Sequence, residues 1–573
     1  MNLNLNEMPF STRGSYMAIG YHDGMFNGKM LEKGLYLRTV HGRKTNPFIG
    51  RFIPVSNNQE LEYTLEAQPD HLEIKTEKGT ILFSYADADT LVIAGKGQDL
   101  GLCFKLFVNG IFEMIEPVLS NGKLNYYVNS FGSSTRYMIQ CQSGSTELIQ
   151  DWKISGAEEA SLMIKPDQNG FAAVMEEIED SWYQKKTTYD IETVCDAARL
   201  EFEQFYQSMP TVPPRFEEAR WKAAYVNWSS IVKKQGFLKR DTMFMSKNWM
   251  CNVWTWDHCF NALALAYGDP QEAWNQFMVP FDNQTETGRL PDSINDSLII
   301  DNYCKPPIHG WTLRRLKKIM KLSSEQKQEA YERIGKWTSW WLNYRDQDQD
   351  GLCEYTHGND SGWDNATLFR ELPPVTSPDL ATFLIIQMEE LAELAGELGK
   401  ENEKTEWKLR AEKMKERLFD KLFNGDEPIA VRTITGEKID AECLLVYMPI
   451  LLGEELPEQK KAYIIEQLKS ERFHTAYGLA TESPKSSFYE SDGYWRGPIW
   501  APSTMLLADG LWQCGEKAFV KELTEQFCTM VAQSGCAENF DAQTGEGLRD
   551  RAYTWTASAM LVMAHEFLDG KEE

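Results

Sequence analysis

Hydrophobic and polar residues alternate in the first third of the chain and follow a helical period in the rest. Between about 30 and 190, short runs such as LYLRTV, FIGRFIPV and HLEIKTEKGTILFSY have the two-residue period of half-buried strands. Asn-Gly pairs at 109–110 and 121–122 are typical of tight turns between such strands. We therefore predict an antiparallel β-sandwich for this part of the chain.

The period changes after SMPTVPPRF, 208–216, a linker punctuated by prolines. Helical segments are predicted near 214–233, 257–267, 270–280, 309–321, 325–344, 378–399, 401–423, 439–451, 456–470, 499–514, 516–534 and 553–569. One start is specific: Ser377 can cap, Pro378 suits the first turn, and Asp379 faces the positive helix end. Paired hairpins in this number match a closed ring of six inner and six outer helices.

The predicted architecture is thus an all-α (α/α)6 barrel domain, residues 206–573, preceded by an antiparallel β-sandwich domain, residues 1–205. A chain of 573 residues exceeds what one hydrophobic core usually serves, in agreement with two domains. The stretches that carry motifs lie between the predicted helices, where loops over one mouth of a barrel would place them.

The net charge and the cysteine usage limit the classes of binding partner and the cellular compartment that fit this chain. A net charge of −26 disfavours nucleic acid and anionic membrane surfaces, because both would repel the chain. The N-terminus lacks the basic start and apolar core of a signal peptide, and no run of about 18 apolar residues occurs. Eleven cysteines without C-x-x-C pairs fit reduced thiols better than disulfides. We expect a cytoplasmic protein that binds a small oligosaccharide or glycoside; the oligomeric state stays open.

An aspartate beside a tryptophan is the strongest chemical signal. Asp364 follows Trp363 directly, within the acidic stretch 345–369. An adjacent indole raises the pKa of a carboxyl group by desolvation, so the group can hold a proton near neutral pH. The ring also offers an apolar face to a pyranose. The pair indicates acid catalysis on a sugar, although an acidic surface loop is the plainer interpretation of this segment alone.

Tryptophan recurs beside aspartate or arginine between the predicted helices. Sixteen of the 18 tryptophans follow residue 200. Four connecting stretches are rich in Trp, Asp, Asn, Gly and Arg: WMCNVWTWDHCFNALAL, GRLPDSIND, the segment around Trp363-Asp364, and YESDGYWRGPIWAP followed by CAENFDAQTGEG. Aromatic faces bind the C–H surfaces of sugars, while carboxylates, amides and guanidinium groups bind hydroxyls. These stretches predict a sugar pocket, although packing in the barrel core explains any single tryptophan more simply.

Four motifs resemble those of glycoside hydrolase family 63: WTWDHCF, GNDSGWDN, GYWRGPIW and AENFDAQTG, in this order. That family belongs to the clan of trehalase-like and glucoamylase-like (α/α)6 enzymes. The resemblance covers roughly residues 215–570. A β-sandwich N-terminal domain is similar to what bacterial members carry, but no specific motif supports that half.

The resemblance implies an inverting glycoside hydrolase of α-glycosidic bonds, with an α-glucoside favoured and an α-mannoside such as mannosylglycerate also open. It implies Asp364 as the general acid and Glu538 as the general base. Inversion needs carboxyl groups on opposite sides of the anomeric carbon, so we expect a separation of about 6.5–9.5 Å. Without the resemblance, Glu538 is better explained as a solvated loop carboxylate.

Other residues of the same motifs are candidates for substrate binding. They are Trp254, Trp256, Asp257, Asp292, Trp363, Asn365, Trp495, Arg496, Gly497 and Trp500. Asp360 is a rival for the acid role, but it has no adjacent indole and is the second choice.

An acidic repeat overlaps the acid motif. The D-x-D-x-D-G start of a calcium loop is formed by Asp346, Asp348, Asp350 and Gly351. The twelfth position is His357, so this is not an EF-hand, but Glu354 at the ninth position can contribute an oxygen. Both a structural calcium ion and a plain acidic turn fit. Catalysis is expected to require no cofactor, and a calcium ion would brace the loop that carries Asp364.

Two other functions stay open. One is a sugar-binding or regulatory protein that kept the barrel without the chemistry, which the presence of both Asp364 and Glu538 disfavours. The other is a glycoside phosphorylase on the same fold. Because phosphate would replace the attacking water, a phosphorylase has no use for a general base, and Glu538 disfavours it.

Overall fold

Two antiparallel sheets form most of the N-terminal part of the chain. A computed structural model of the protein describes residues 1–26, 29–42, 46–120, 122–186, 188–371 and 373–569. The strands of the two sheets are β1 (Met17–Phe26), β2 (Lys29–Thr39), β3 (Phe48–Ser56), β4 (Gln59–Glu60), β5 (Thr64–Ala67), β6 (Leu72–Thr76), β7 (Gly79–Asp87), β8 (Thr90–Gly97), β9 (Gly101–Leu106), β10 (Met114–Ser120), β11 (Lys123–Ser130), β12 (Thr135–Ser143), β13 (Ser145–Trp152), β14 (Ala157–Lys165) and β15 (Phe171–Glu177).

The strand order confirms an antiparallel N-terminal region. One sheet runs β1-β2-β3-β9-β14-β13, with β4 paired to β3, and the other runs β10-β11-β12-β15-β8-β7-β6-β5. The rings of Phe52 on β3 and Phe83 on β7 lie 5.0 Å apart, so apolar faces of the two sheets meet. Ser120 pairs with Lys123, which makes β10 and β11 a hairpin around the predicted turn at 121–122; Asn121 itself lies outside the described residues.

A helix that the sequence analysis did not predict follows the strands. It is α1 (Ile191–Ser208), and Ile191, Val194 and Cys195 pack there with Val92 and Val174 of the second sheet. The domain boundary predicted at 205/206 falls inside this helix. By its internal contacts, the chain divides into two compact units. The first comprises Met1–Gln207, Trp228–Lys234 and Ser246–Cys251, and the second comprises Ser208–Asn227, Gln235–Met245 and Asn252–Glu573.

Helices dominate the rest of the chain. They are α2 (Glu217–Ser230), α3 (Asp257–Leu265), α4 (Pro270–Met278), α5 (His309–Ile319), α6 (Ser324–Tyr344), α7 (Pro378–Glu397), α8 (Glu401–Lys421), α9 (Glu458–Lys469), α10 (Ala501–Gln513), α11 (Lys517–Ser534) and α12 (Thr554–Met563). The connections between these helices contain two-residue strands that pair with one another. Val253–Trp254 pairs with Ser293–Ile294, and Asn539–Phe540 pairs with Gly547–Leu548.

Six helical segments of the second unit contact one another in a closed cycle. The cycle runs through α3, α5, α7, the 3₁₀ segment Leu444–Glu455, α10 and α12, and α12 returns to α3. Around it, α4 packs on α3, α6 and α8 pack on α7, and α11 packs on α10 and α12. Helix α3 is buried on all faces, whereas α8 buries only Ala411, Met414 and Leu418, as expected for inner and outer helices.

Three predictions about this half need correction. The segment predicted at 439–451 is the 3₁₀ segment, because Pro449 lacks a backbone N–H and Gly453 has a non-helical φ of 58°. Ser377 precedes α7 as predicted, but its hydroxyl donates to the Asp379 carboxylate instead of capping the helix. The term all-α describes the helical half alone, since the whole chain is mixed α and β.

Within the described ranges, no helix is long and apolar enough to cross a membrane.

Candidate active site

Asp364 lies at the end of a tight turn that presses against a tryptophan. The turn passes through Gly362, whose φ is +76°, and a Cβ there would lie 2.6 Å from the Trp256 ring. Trp363 is buried next to it, and the Asp364 side chain keeps 34% of its surface exposed. Burial raises the pKa of Asp364 and the nearby Asp292 adds to the rise, as the sequence analysis expected of an acid.

Lys305, which the sequence analysis missed, sits among the pocket carboxylates. Its Nζ is 3.0 Å from Asp292 Oδ1 and 3.7 Å from Asp364 Oδ1, and it donates to the Asn359 carbonyl. This ammonium opposes the effect of burial and lowers the pKa of Asp364. Burial also raises the pKa of Asp257, at the start of α3, where Lys305 again opposes it. The Lys305 ammonium thus interacts electrostatically with three carboxyl groups, those of Asp257, Asp292 and Asp364.

Glu538 lies in the connection that follows α11. The helix ends at Gly535, whose φ of +77° suits glycine, and the Glu538 amide donates to the Asp550 carbonyl at 2.7 Å. Glu538 is only 5% exposed. Burial, with a contribution from Asp550, raises the pKa of Glu538 to about 7, and Arg549 opposes the rise. Glu538 is therefore not a solvated loop carboxylate.

Tyr494 contacts the candidate base and interacts electrostatically with the candidate acid. Its hydroxyl donates to Glu538 Oε1 at 3.3 Å. Burial raises the pKa of Tyr494, and the charges of Glu538, Asp364 and Asp257 add to the rise. Asp364 likewise raises the pKa of Glu538. The candidate acid and the candidate base are therefore near enough to interact electrostatically. Tyr494 has a φ of 64°, a strained value of the kind that concentrates at functional sites.

Stacked indoles pack beside the Asp364 turn. Trp495 stacks on Trp363 with ring centroids 4.7 Å apart and on Trp500 with centroids 3.9 Å apart. Beside this column, the rings of Trp256 and Trp555 pack edge to face with centroids 5.8 Å apart. All five indoles are buried, so the column packs mainly against itself. A role in binding sugar stays a prediction for these residues and for Trp254, which is half-buried.

The other predicted binding residues make local contacts. Asn365 donates to the Gly493 carbonyl and accepts from the Trp495 amide, so it holds the turn at 493–495 against the Asp364 turn. Gly497 has a φ of +148°, and a Cβ there would lie 2.4 Å from a backbone oxygen. Arg496 pairs with Glu490 at 2.9 Å and is partly exposed. Their predicted contact with substrate stays a prediction.

Asp360, the rival acid, is held as an anion. It is fully buried, and Arg345 Nη1 lies 2.9 Å from its Oδ2. The amide and hydroxyl of Thr356 and the amide of Cys304 also donate to it. Burial alone would raise the pKa of Asp360, but Arg345 and these hydrogen bonds hold it below its usual range. A carboxylate fixed in this way is suited to structure and not to proton donation.

Comparison with known proteins assigns the family. The model of the mannosylglycerate hydrolase MGH1-like glycoside hydrolase domain matches residues 250–556, which include every pocket residue described above. The chain belongs to this family. The resemblance to glycoside hydrolase family 63 is thereby confirmed, since a solved relative of the same kind is described as a GH63 enzyme.

Relatives of this chain are hydrolases of glycosyl glycerates. The mannosylglycerate hydrolase of Thermus thermophilus is 30% identical over 166 residues, which are 27% of this chain and 37% of that enzyme. The match thus spans little more than a third of this relative. The glucosylglycerate hydrolase of Mycolicibacterium hassiacum is 21% identical over 406 residues, which are 54% of this chain and 91% of that enzyme.

Solved structures show the fold. A GH63 mannosylglycerate hydrolase from Thermus thermophilus, in complex with glucose, has a TM-score of 0.52 and 22% identity; the match covers 60% of this chain and 99% of that one. A bacterial glucoamylase complexed with acarbose has a TM-score of 0.64 and 10% identity, and covers 99% of this chain and 96% of its own. The fold is therefore shared with glucoamylase-like enzymes beyond the helical half.

The acidic repeat gathers oxygen ligands. Carboxylate oxygens of Asp346, Asp348 and Asp350 all lie within 4.8 Å of one another. Glu354 is 0% exposed, and within the described residues its Oε2 has no hydrogen-bond partner. Burial raises the pKa of Glu354 to about 7, and the charges of Asp348 and Asp346 add to the rise. Lys421 takes one oxygen of Asp350, at 2.7 Å. The set has the hard oxygen donors that calcium prefers.

Proposed function

We propose that this chain is an inverting glycoside hydrolase that cleaves an α-glucoside or an α-mannoside, on an (α/α)6 barrel domain. The observation that supports the proposal is that Tyr494 donates a hydrogen bond to Glu538 and interacts electrostatically with both Glu538 and Asp364. The closed cycle of six inner segments supports the barrel. Two carboxyl groups at one pocket are what hydrolysis of a glycosidic bond requires.

Glycosyl glycerates are the first substrates to test. The sequence favoured a general α-glucoside, but the relatives act on mannosylglycerate and glucosylglycerate. Both are α-linked sugars joined to a small acid, and they differ in the sugar at the reacting carbon. We therefore propose the class of α-linked glycosyl glycerates, with the sugar left to experiment.

In this mechanism each pocket group has one task. Asp364 donates a proton to the leaving oxygen, and Glu538 removes a proton from water on the opposite face of the sugar. Glu538 acts only when ionised, and its pKa is about 7. Activity should therefore rise as the pH increases through neutrality. The Tyr494 hydroxyl holds Glu538 in place.

A substrate panel separates the proposal from its alternatives. Release of sugar from α-mannosylglycerate, α-glucosylglycerate and maltose would be measured with and without phosphate, and binding would be followed by calorimetry. Release that needs no phosphate supports a hydrolase. Release that depends on phosphate indicates a phosphorylase, and binding without release indicates a sugar-binding protein; either result contradicts the proposal.

Lys305→Gln should shift the alkaline limb of the kcat/KM profile to higher pH. Lys305 lowers the pKa of Asp364, so loss of the ammonium leaves burial and Asp292 to raise it further. The acid then stays protonated to a higher pH, and the limb that reports its ionisation moves up. The measurement is kcat/KM from pH 5 to about 10, with circular dichroism to establish folding.

Two control variants should leave the alkaline limb of the kcat/KM profile where it is in the unmodified chain. Lys305→Arg keeps the charge and should leave the limb near its original position, while Lys318→Gln removes an exposed lysine and should change nothing. An unchanged alkaline limb in a folded Lys305→Gln protein would show that Lys305 does not tune the acid.

We further propose that the acidic repeat binds a structural calcium ion, with Glu354 as a ligand beside Asp346, Asp348 and Asp350. The support is the buried, unpartnered oxygen of Glu354 among the described residues and the grouping of the three aspartates. The ion would compensate the mutual repulsion of these carboxylates. The pocket chemistry does not require it.

Calcium should raise Tm by several degrees, and Glu354→Gln should abolish that rise. Ligand binding to the folded state alone stabilises it by mass action, and loss of one carboxylate weakens the site. Thermal unfolding with calcium and with a chelator measures the effect. Glu466→Gln, an exposed glutamate on α9, should respond to calcium as the unmodified chain does. Equal Tm values with and without calcium would leave the repeat as an acidic turn.

A further inference from the structure

Two histidines and a cysteine meet in the core behind the pocket. His258 and Cys259 lie in the first turn of α3, and His309 begins α5. One ligand atom from each lies within 4.8 Å of the other two, and all three residues are buried. Neither the acid nor the base contacts this cluster within the described residues, and it needs a separate explanation.

The geometry of His258 is that of a metal ligand. Its Nδ1 lies 3.2 Å from the Trp254 carbonyl, a contact satisfied by the tautomer with the proton on Nδ1 and the lone pair on Nε2, and the Phe277 carbonyl also lies near the ring. A backbone carbonyl that fixes the tautomer in this way is typical of histidines that bind metal. Nε2 lies 3.6 Å from Cys259 Sγ. For tetrahedral zinc, bonds of about 2.0 Å to nitrogen and about 2.3 Å to sulfur separate these two ligands by about 3.5 Å.

His309 supplies an independent observation. It is 0% exposed, and among the described residues neither of its ring nitrogens has a hydrogen-bond partner. The Thr255 carbonyl lies near the ring. Phe281 packs edge-on against the ring at 5.1 Å, and the His258 ring is 5.2 Å away. An imidazole buried without a partner is costly unless a ligand occupies it.

The donor set suits a metal ion. A metal binds through the lone pair of a neutral imidazole and through a thiolate sulfur, so a bound cation would displace the proton of the Cys259 thiol. The buried Asp257 precedes His258 directly in the chain.

We propose that His258, Cys259 and His309 bind one sulfur-seeking transition-metal ion, Zn²⁺ or Cu⁺. Imidazole and thiolate ligands select these ions over calcium or magnesium. Binding forms two metal–nitrogen bonds and one metal–sulfur bond, and the Cys259 proton leaves to solvent. The ion would tie the start of α3, which carries Asp257, to the start of α5, four residues after Lys305.

Metal content tests the proposal without reference to activity. The full chain would be produced in medium supplemented with zinc or with copper, dialysed against a chelator, and assayed by plasma mass spectrometry. About one ion per chain is expected. Cys259→Ser and His309→Gln should each lose it, while Cys528→Ser, which removes another buried thiol, and Glu354→Gln should retain it.

X-ray absorption at the metal edge of the unmodified chain covers variants that do not fold. One sulfur and two nitrogen neighbours are expected, and comparison of the two growth conditions identifies zinc or copper. A chain that retains neither metal, an ion surrounded by oxygen alone, or a folded Cys259→Ser protein with undiminished metal would each overturn the proposal.

Discussion

Replacement of Asp364 by asparagine is expected to lower kcat on a natural α-glycoside by about 10²–10⁴-fold, the usual contribution of a general acid. The amide keeps the shape of the side chain but has no acidic proton for the leaving oxygen. The pocket favours the protonated acid, because burial and Asp292 raise the pKa of Asp364. Since that burial also makes the ionised form costly, the substitution should leave the fold intact.

Leaving-group dependence identifies the role of Asp364. A series of aryl glycosides would be compared, because a good leaving group departs without protonation and should partly restore turnover by Asp364→Asn. Asp360→Asn is the matched control from the same turn. It should lower Tm, because Arg345 loses its buried partner, but should keep the original dependence on leaving group. Near-normal turnover of a natural glycoside by Asp364→Asn would exclude Asp364 as the acid.

The helices could be predicted where a local pattern persists over many residues. α7 starts at the predicted Pro378, and α6 and α11 lie within a few residues of their predicted bounds. The 3₁₀ segment was mistaken for a helix because its apolar residues have no period of their own, and the effect of Pro449 depends on its neighbours. The apolar residues of α1 have helical spacing. The domain boundary was nevertheless predicted inside this helix, because the strands that precede it extended the predicted β-domain.

The candidate site was predicted where chemistry lies in adjacent residues. Trp363 beside Asp364 is visible in the sequence, and Glu538 was found through its motif. Lys305 was not predicted, because no motif in the neighbouring sequence indicates a cation among carboxylates. Its role depends on Asp292 and Asp364, which lie close to it only in the folded chain. Sequence identifies an aromatic residue but not which ring face is open.

The same limit applies to the tryptophans and to Tyr494. Trp495 and Trp500 stack on each other with an interplanar angle of 5°, which the sequence does not show, and their predicted role in binding sugar stays a prediction. Tyr494 was passed over beside them, although its hydroxyl is the group that contacts Glu538. Both outcomes depend on the turn at 493–495, which Asn365 holds through two hydrogen bonds from a different part of the chain.

Glu538→Gln should abolish turnover while stabilising the protein above neutral pH. The folded-state pKa of Glu538 is about 7, above the ordinary 4.5, so its stabilising contribution is complete below pH 4.5 and is lost as pH rises through 7. Glutamine avoids that loss, which at about 1.4 kcal/mol per pKa unit amounts to about 3 kcal/mol at most. Tm of the variant should exceed that of the unmodified chain at pH 8 and match it at pH 4. A Tm of Glu538→Gln below that of the unmodified chain at pH 8 would contradict a raised pKa of the buried Glu538 carboxyl.

The stereochemistry of the product tests the role of Glu538 most directly. If Glu538 activates a water on the face opposite the departing group, a single displacement inverts the anomeric carbon, and an α-linked substrate releases the β-anomer first. An NMR time course, faster than mutarotation, measures the first product. Glu538→Gln should never trap a glycosyl-enzyme, because a single displacement by water forms no covalent bond between enzyme and sugar, and azide in place of the activated water should yield a β-glycosyl azide. If the α-anomer forms first, two displacements must occur, and Glu538 would then be a nucleophile and not a base; the pocket would still be the site of hydrolysis.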